Sequence, residues 1–356
     1  MKRIALVGAG MRAQKFLPAL VEQYRDTCEL VAMCDISLDM LKLKADGLSK
    51  QEVRPRLFHA TRFDEMIRQT APDTVLVLSP DYTHADYVCR AMELGCDVIV
   101  EKPLTTTLAD CRRILDTQRY TGRPCTVAMN YRYTPKYLQV KELLASGVIG
   151  HVFQVNWVAG VTLPHGARYF HRWHGEKACS GTLLVHKCCH LFDLVNFWLG
   201  SVPRRVYARG ALNIFGPGHA ERLGMAGHGS RCGQCSLTDT CPFYWDTVHQ
   251  PSANETPDLV CARGDEVGYY RDKCVFREEI DTYDTFGVSV EYASGAQLNF
   301  GHVTGRQKEH LQFNGVLGSL ELEGSRIHIR RFDGKTETPA ARTADGGHGG
   351  ADPIMY

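Results

Sequence analysis

No apolar run in this 356-residue sequence approaches the roughly 18 residues needed to cross a bilayer, so no membrane partner is expected. Net charge is equally scarce. Forty-one basic residues against 40 acidic ones leave +1, which offers nothing to nucleic acid. The first strand begins at Arg3 or Ile4, leaving no room for a secretory leader, and a cytoplasmic protein is expected. No internal repeat is found, which excludes solenoid architectures. What is present is ordinary: 44% hydrophobic and 23% charged residues, in a length that suits two domains. The exception is cysteine, at 14. Nine (Cys28, Cys34, Cys89, Cys96, Cys111, Cys125, Cys179, Cys188 and Cys189) are scattered among predicted helices and strands, where they act as small apolar residues. The other five crowd between positions 232 and 274.

Short apolar runs at Ile4–Val7, Glu29–Cys34, Thr74–Leu78 and Asp97–Val100 alternate with helical stretches at Met11–Tyr24, Leu38–Leu48 and Asp81–Leu94. That rhythm predicts βαβ units and a parallel sheet buried on both faces. A helix over Thr107–Thr121, a strand over Thr126–Tyr133 and a helix over Pro135–Ser146 follow. Beyond them the strands lengthen and alternate: His151–Ala159, Val206–Asn213, Thr282–Tyr292, Ala296–His302, His310–Asn314 and Ser319–Glu323. Alternation predicts a mostly antiparallel sheet with one face packed and one open. The expected organisation is an α/β domain over 1–125 and an α+β domain over 126–356, the latter with a cysteine-rich insertion at 228–276. A glycine-rich stretch, Ala344–Ala351, precedes Tyr356.

Gly8-Ala9-Gly10-Met11-Arg12-Ala13 leaves the first strand and opens a helix, the context that a G-x-G-x-x-A dinucleotide fingerprint requires. Gly8 permits the tight turn, Gly10 lets the backbone approach a pyrophosphate, and Met11 and Arg12 begin the phosphate-facing turn. Asp35 ends the second strand, where a carboxylate bonds a ribose 2′-hydroxyl and repels a 2′-phosphate. A Rossmann domain that takes NAD rather than NADP is expected.

Three further stretches make a specific pattern: Ser79-Pro80-Asp81-Tyr82-Thr83-His84, Ala91-Met92-Glu93-Leu94-Gly95 and Val100-Glu101-Lys102-Pro103. With Asn130–Pro135 and Gly181–Asp193, they resemble the Gfo/Idh/MocA oxidoreductases, the family of glucose-fructose oxidoreductase and inositol dehydrogenase. The resemblance implies a Rossmann domain followed by an open-faced sheet, self-association into a homo-oligomer, and NAD-linked chemistry on sugars or cyclitols. It adds Ser79, His84, Glu101 and Lys102 to the cofactor residues. It also places Lys102 at the substrate hydroxyl and makes His190 the catalytic histidine. One departure stands out. The family's usual aspartate, four residues before that histidine, is His186 here, with Lys187 after it, and His186 is the further catalytic candidate, expected to hold a sugar hydroxyl or share the proton transfer.

Oxidising a secondary alcohol requires a base for the hydroxyl proton while the cofactor takes hydride. Lys102 lies just past the carboxyl end of a parallel strand, where open α/β sheets bind ligands. Glu101 is expected to position it, and Lys102–Pro103 is a candidate cis peptide. His186, His190 and Asp193, spaced by four and three, predict one polar face of a continuous helix. Arg168-Tyr169-Phe170-His171-Arg172-Trp173-His174 mixes planar donors with aromatic rings, a combination suited to a pyranose. Arg168, Tyr169, His171, Arg172, Trp173 and His174, with Arg132 and Lys187, are the candidate substrate contacts.

Cys232, Cys235, Cys241 and Cys274 (or Cys261) carry a C-x-x-C and two further thiols, a set that suits a structural zinc; an iron–sulfur cluster, disulfides and free thiols remain open. The leading functional expectation is oxidation of a ring hydroxyl such as the 3-hydroxyl of a glucoside. A redox-neutral glycosidase using transient oxidation at C3, and a non-enzymatic NAD-binding regulator, are the alternatives.

Overall fold

The structure is a computed structural model that describes residues 1–49, 51–246, 266–306, 308–345 and 351. Cys261, most of the glycine-rich C-terminal stretch and Tyr356 lie outside the described residues.

Six strands form an all-parallel sheet: β1 (Lys2–Val7), β2 (Cys28–Asp35), β3 (Arg56–His59), β4 (Thr74–Val77), β5 (Asp97–Val100) and β6 (Cys125–Val127), in the order β3-β2-β1-β4-β5-β6. The crossovers carry α1 (Ala13–Pro18), α2 (Leu38–Ser49), α3 (Phe63–Thr70), α4 (His84–Glu93) and α5 (Leu108–Thr121). Successive β1 residues feed opposite faces. Ala5 and Val7 pack with Val75, Val77 and Val98 on one side, while Ile4 and Leu6 pack with Leu30 and Leu76 on the other. Such strands need unbroken apolar runs, which is why their sequence signal was strong. The unit β3–α3 was not foreseen, because Arg56–His59 carries only two apolar residues at an outer sheet position. Pro18, which has no N–H to donate, sits at the end of α1, and the chain continues as a π-helical turn over Ala19–Gln23.

The chain then passes through a 3₁₀ turn at Asn130–Tyr133, part of the stretch predicted as a strand, and α6 (Pro135–Ala145) into β7 (Val152–Val161). Next come α7 (Leu163–Phe170), α8 (Lys177–Ser180), α9 (Leu183–His186) and α10 (Cys189–Leu199). The remaining strands are β8 (Pro203–Ala211), β9 (Thr285–Tyr292), β10 (Gln297–Thr304), β11 (His310–Gly315), β12 (Gly318–Glu323), β13 (Arg326–Arg331) and β14 (Thr336–Glu337). With β7 they make an eight-stranded sheet, β14-β13-β12-β11-β7-β10-β9-β8, antiparallel except for the β10–β7 pair. One face (Trp157, Val288, Phe300, Phe313 and Leu320) packs under α6 and α10. The other keeps polar ladders such as Asn299 Nδ2 donating to Asn156 Oδ1 at 3.1 Å.

Candidate active site

The end of β1 lies hard against the end of β4. A Cβ on Gly8 would sit 2.6 Å from Leu78 C and Ser79 N, and its φ is +94°, so only glycine fits this turn. Asp35 closes the neighbouring strand. Its carboxylate accepts from Ala9 N at 2.6 Å and Ser37 N at 3.0 Å, fixing the glycine loop against the start of α2. Met11, Ile36 and Leu38 are exposed apolar residues along this edge, a surface suited to the flat faces of an adenosine. Among the cofactor candidates, Arg12 pairs with Glu101, and Glu101 Oε2 also accepts from Lys102 N at 2.9 Å. His84 is fully buried, its ring nitrogens 2.9 Å from Pro103 O and from Ser79 O. It braces two loops of the crevice. The Lys102–Pro103 peptide is cis.

Lys102 reaches from the parallel sheet into the second domain, where its Nζ donates to His186 O at 2.9 Å. The consequence is visible in the helix. His186 O also receives Cys189 Sγ at 3.5 Å, and Leu183 O takes both Lys187 N (2.9 Å) and Cys188 N (3.1 Å). The predicted continuous helix is therefore two, α9 and α10, with a widened turn at Lys187–Cys188. Sequence spacing could not show that this break meets a lysine 84 residues away. Thr182, entering α9, has φ +109°, a region nearly reserved for glycine, and costs about 1–3 kcal/mol.

Around His186 stand Tyr169, Trp173 and His174, with ring centroids at 5.6, 5.7 and 4.4 Å. Trp173 stacks on His174 at 3.7 Å, and exposed Tyr82 meets Trp173 edge-on at 6.2 Å. His186 Nδ1 lies 2.6 Å from Asp81 Oδ2, a partner to which sequence reasoning gave no role. Burial and the nearby Lys102, Arg172 and Lys187 hold the His186 imidazole well below its usual pKa. Burial pushes the Asp81 carboxyl up to about 6, against the opposing pull of Lys102 and His84.

The other candidates divide. His190 is buried in a parallel stack on Tyr131 at 4.0 Å, and Lys187 Nζ lies 3.4 Å from the Tyr131 hydroxyl. Asp193 faces Arg132, which grips it through two bonds of 2.7 and 2.6 Å, so the predicted polar stripe ends in an ion pair. Arg172 Nε donates to Arg168 O at 2.6 Å, and Arg168 lies over Trp245. His171 is buried, with its ring nitrogens 2.7 Å from Lys273 O and 2.8 Å from Phe243 O, and ties α7 to the insertion.

Cys232, Cys235, Cys241 and Cys274 line one small cavity with His171 and His228. Yet among the described residues no group of three or more His, Cys, Asp or Glu side chains is placed to hold a metal ion. The sulfurs are engaged separately: Cys235 accepts from Gly229 N and Leu237 N, and Cys274 contacts His228 Nδ1 at 3.3 Å. None of the described cysteines forms a disulfide. What the insertion does instead is reach the dinucleotide edge. Glu266 bonds Ser37 Oγ, Leu38 N (2.7 Å) and Asp39 N (3.3 Å), and Arg271 lies 3.6 Å from Met11 Sδ.

Among the described residues no helix is long and apolar enough to cross a membrane. With a fingerprint loop, a lysine at the sheet's carboxyl edge and a histidine-bearing second domain converging, the molecule has the build of a nucleotide-linked oxidoreductase. The sequence pattern described as "Oxidoreductase family, NAD-binding Rossmann fold" matches residues 2–129, and that of the same family's C-terminal alpha/beta domain matches 141–342. The chain belongs to the Gfo/Idh/MocA oxidoreductase family. It is 34% identical to YteT of Bacillus subtilis (strain 168) over all of this chain and 87% of YteT. It is 30% identical to D-glucoside 3-dehydrogenase of Escherichia coli (strain K12), over only 42% of this chain and 41% of that enzyme. In fold it is similar to the WlbA dehydrogenase of Bordetella pertussis, solved with NADH and UDP-GlcNAcA. The TM-score there is 0.66 at 19% identity, covering 99% of this chain and 82% of that one.

Proposed function

We propose that this oxidoreductase oxidises a secondary ring hydroxyl of a sugar, glycoside or cyclitol by removing hydride from the carbon that bears it, the 3-hydroxyl of a glucoside being the first choice. The observation that carries the reading is the 2.9 Å bond from Lys102 Nζ to His186 O, which joins the carboxyl edge of the parallel sheet to the imidazole-bearing helices. Bound NAD would supply the hydride acceptor. Lys102 keeps further N–H donors for the substrate oxygen, and the imidazoles of His186 and His190 are the groups able to take its proton. Trp173 and Tyr82 offer aromatic surface for the C–H face of a pyranose. The partial match to a D-glucoside 3-dehydrogenase supports this choice of substrate. The outer face of the second sheet, with exposed Tyr207 and Val303, supports self-association. Incubation of the NAD-loaded protein with methyl glucosides, free sugars and inositols tests the reading. NADH together with an oxidised sugar supports it, and no reduction by any of them refutes it. Free sugar without net NADH would replace it by redox-neutral glycoside cleavage.

A further inference from the structure

We propose that Asp81 is a positioning residue that makes His186 the acceptor of the substrate's hydroxyl proton. The inference rests on the dehydrogenase reading. Asp81 opens the short turn after β4, in the first domain, and His186 ends α9 in the second. They are 105 residues apart in sequence and 2.6 Å apart in space, and both side chains are buried. A carboxylate facing Nδ1 accepts that nitrogen's proton, so the neutral ring carries its N–H on Nδ1 and its lone pair on Nε2. This is the tautomer a base needs. When Nε2 takes the hydroxyl proton, the ring becomes an imidazolium held by the Asp81 carboxylate. The electron pair of the broken O–H bond forms the carbonyl as hydride leaves the same carbon for NAD, so charge and electrons balance.

The surroundings support the assignment. The ring is boxed by Tyr169, Trp173 and His174, so its orientation is fixed. Lys102, from the segment after β5, lies against its backbone carbonyl and offers N–H donors, complementary to an acceptor. The charged and titratable groups acting on the pair come from every side. Lys102, His84, Arg172, Lys187 and His174 favour the neutral ring or the ionised carboxylate, and Cys189 lies at the start of α10. With the Asp81 carboxyl near 6 and His186 held low, the pair at neutral pH is carboxylate and neutral imidazole.

The near-isosteric Asp81→Asn tests the relation, because an amide in that place donates to Nδ1 and imposes the opposite tautomer. Nitrogen-15 NMR of histidine-labelled full-length protein, without substrate, should show His186 protonated on Nδ1 in the wild type and on Nε2 in Asp81→Asn. With NAD and a turned-over glucoside or inositol, Asp81→Asn should lower kcat about 10²- to 10⁴-fold while the Kd for NAD is unchanged. The wild-type rate should fall as pH drops through about 6, where Asp81 takes up a proton, and the variant should lose that limb. An unprotonated Nδ1 in the wild type, or a variant with wild-type kcat and pH profile, overturns the proposal. If no sugar or inositol reduces NAD, the dehydrogenase reading fails, while the tautomer measurement still decides the relation of Asp81 to His186.

Discussion

Lys102 Nζ donates to the backbone carbonyl of His186 across the boundary between the two sheets, at the point where α9 gives way to α10. A lysine that shapes its own active site should not be replaceable by an uncharged side chain of similar length. Lys102→Met is expected to lower kcat roughly 10²- to 10⁴-fold and leave NAD affinity unchanged. Steady-state kinetics beside a direct NAD titration check this.

Gly8 leaves no room for a side chain at the dinucleotide edge. A methyl there meets backbone atoms at 2.6 Å, at φ +94°. Gly8→Ala should destabilise the first domain by about 2–4 kcal/mol and abolish NAD binding. Chemical denaturation and equilibrium binding measure the two effects.

The buried guanidinium of Arg277 holds Phe170 O, Cys274 O at 3.2 Å and Arg172 O at 3.0 Å, and pairs with Glu176. It fastens the insertion to the loops around His174. Arg277→Met leaves these carbonyls unsatisfied and should cost about 2–4 kcal/mol of stability. Because the 171–176 loop loses its anchor, KM should rise more than kcat falls. A thermal melt with Michaelis profiles separates the outcomes.

Much of this was legible in sequence. The glycine loop, Asp35 and Lys102 sit at ends of strands whose apolar runs announce themselves, and their places follow from alternation alone. Asp81, Glu266 and the break in the histidine helix were not legible, because each is defined by a partner at least 84 residues away, or from outside its own domain. The partners of His171 were hidden for the same reason. It sits within an aromatic, arginine-rich run that looks like a sugar wall, and its ring nitrogens face two carbonyls of the insertion. The cysteine spacing suggested a metal from local pattern; in the structure Cys235 accepts from Gly229 N and Leu237 N, and Cys274 contacts His228 Nδ1. His186, standing where the family resemblance expects an aspartate, becomes intelligible once Asp81 is seen across from it.

Glu266 carries a second carboxylate to the Asp35 edge and occupies the N–H groups at the start of α2, where a 2′-phosphate would seek donors. Glu266→Gln should therefore narrow the preference for NAD over NADP several-fold through tighter NADP binding, with NAD itself little affected. Paired titrations of both nucleotides check it.

The most direct test of the account is a single-turnover mixing experiment on NAD-loaded protein with excess glucoside or inositol, followed by NADH absorbance. The wild type should show a rapid rise, and Lys102→Met should not, although it binds NAD as well. A rise of equal rate in that variant, or none in the wild type with any sugar or cyclitol, would contradict the convergence of Lys102 and His186 on a reacting alcohol.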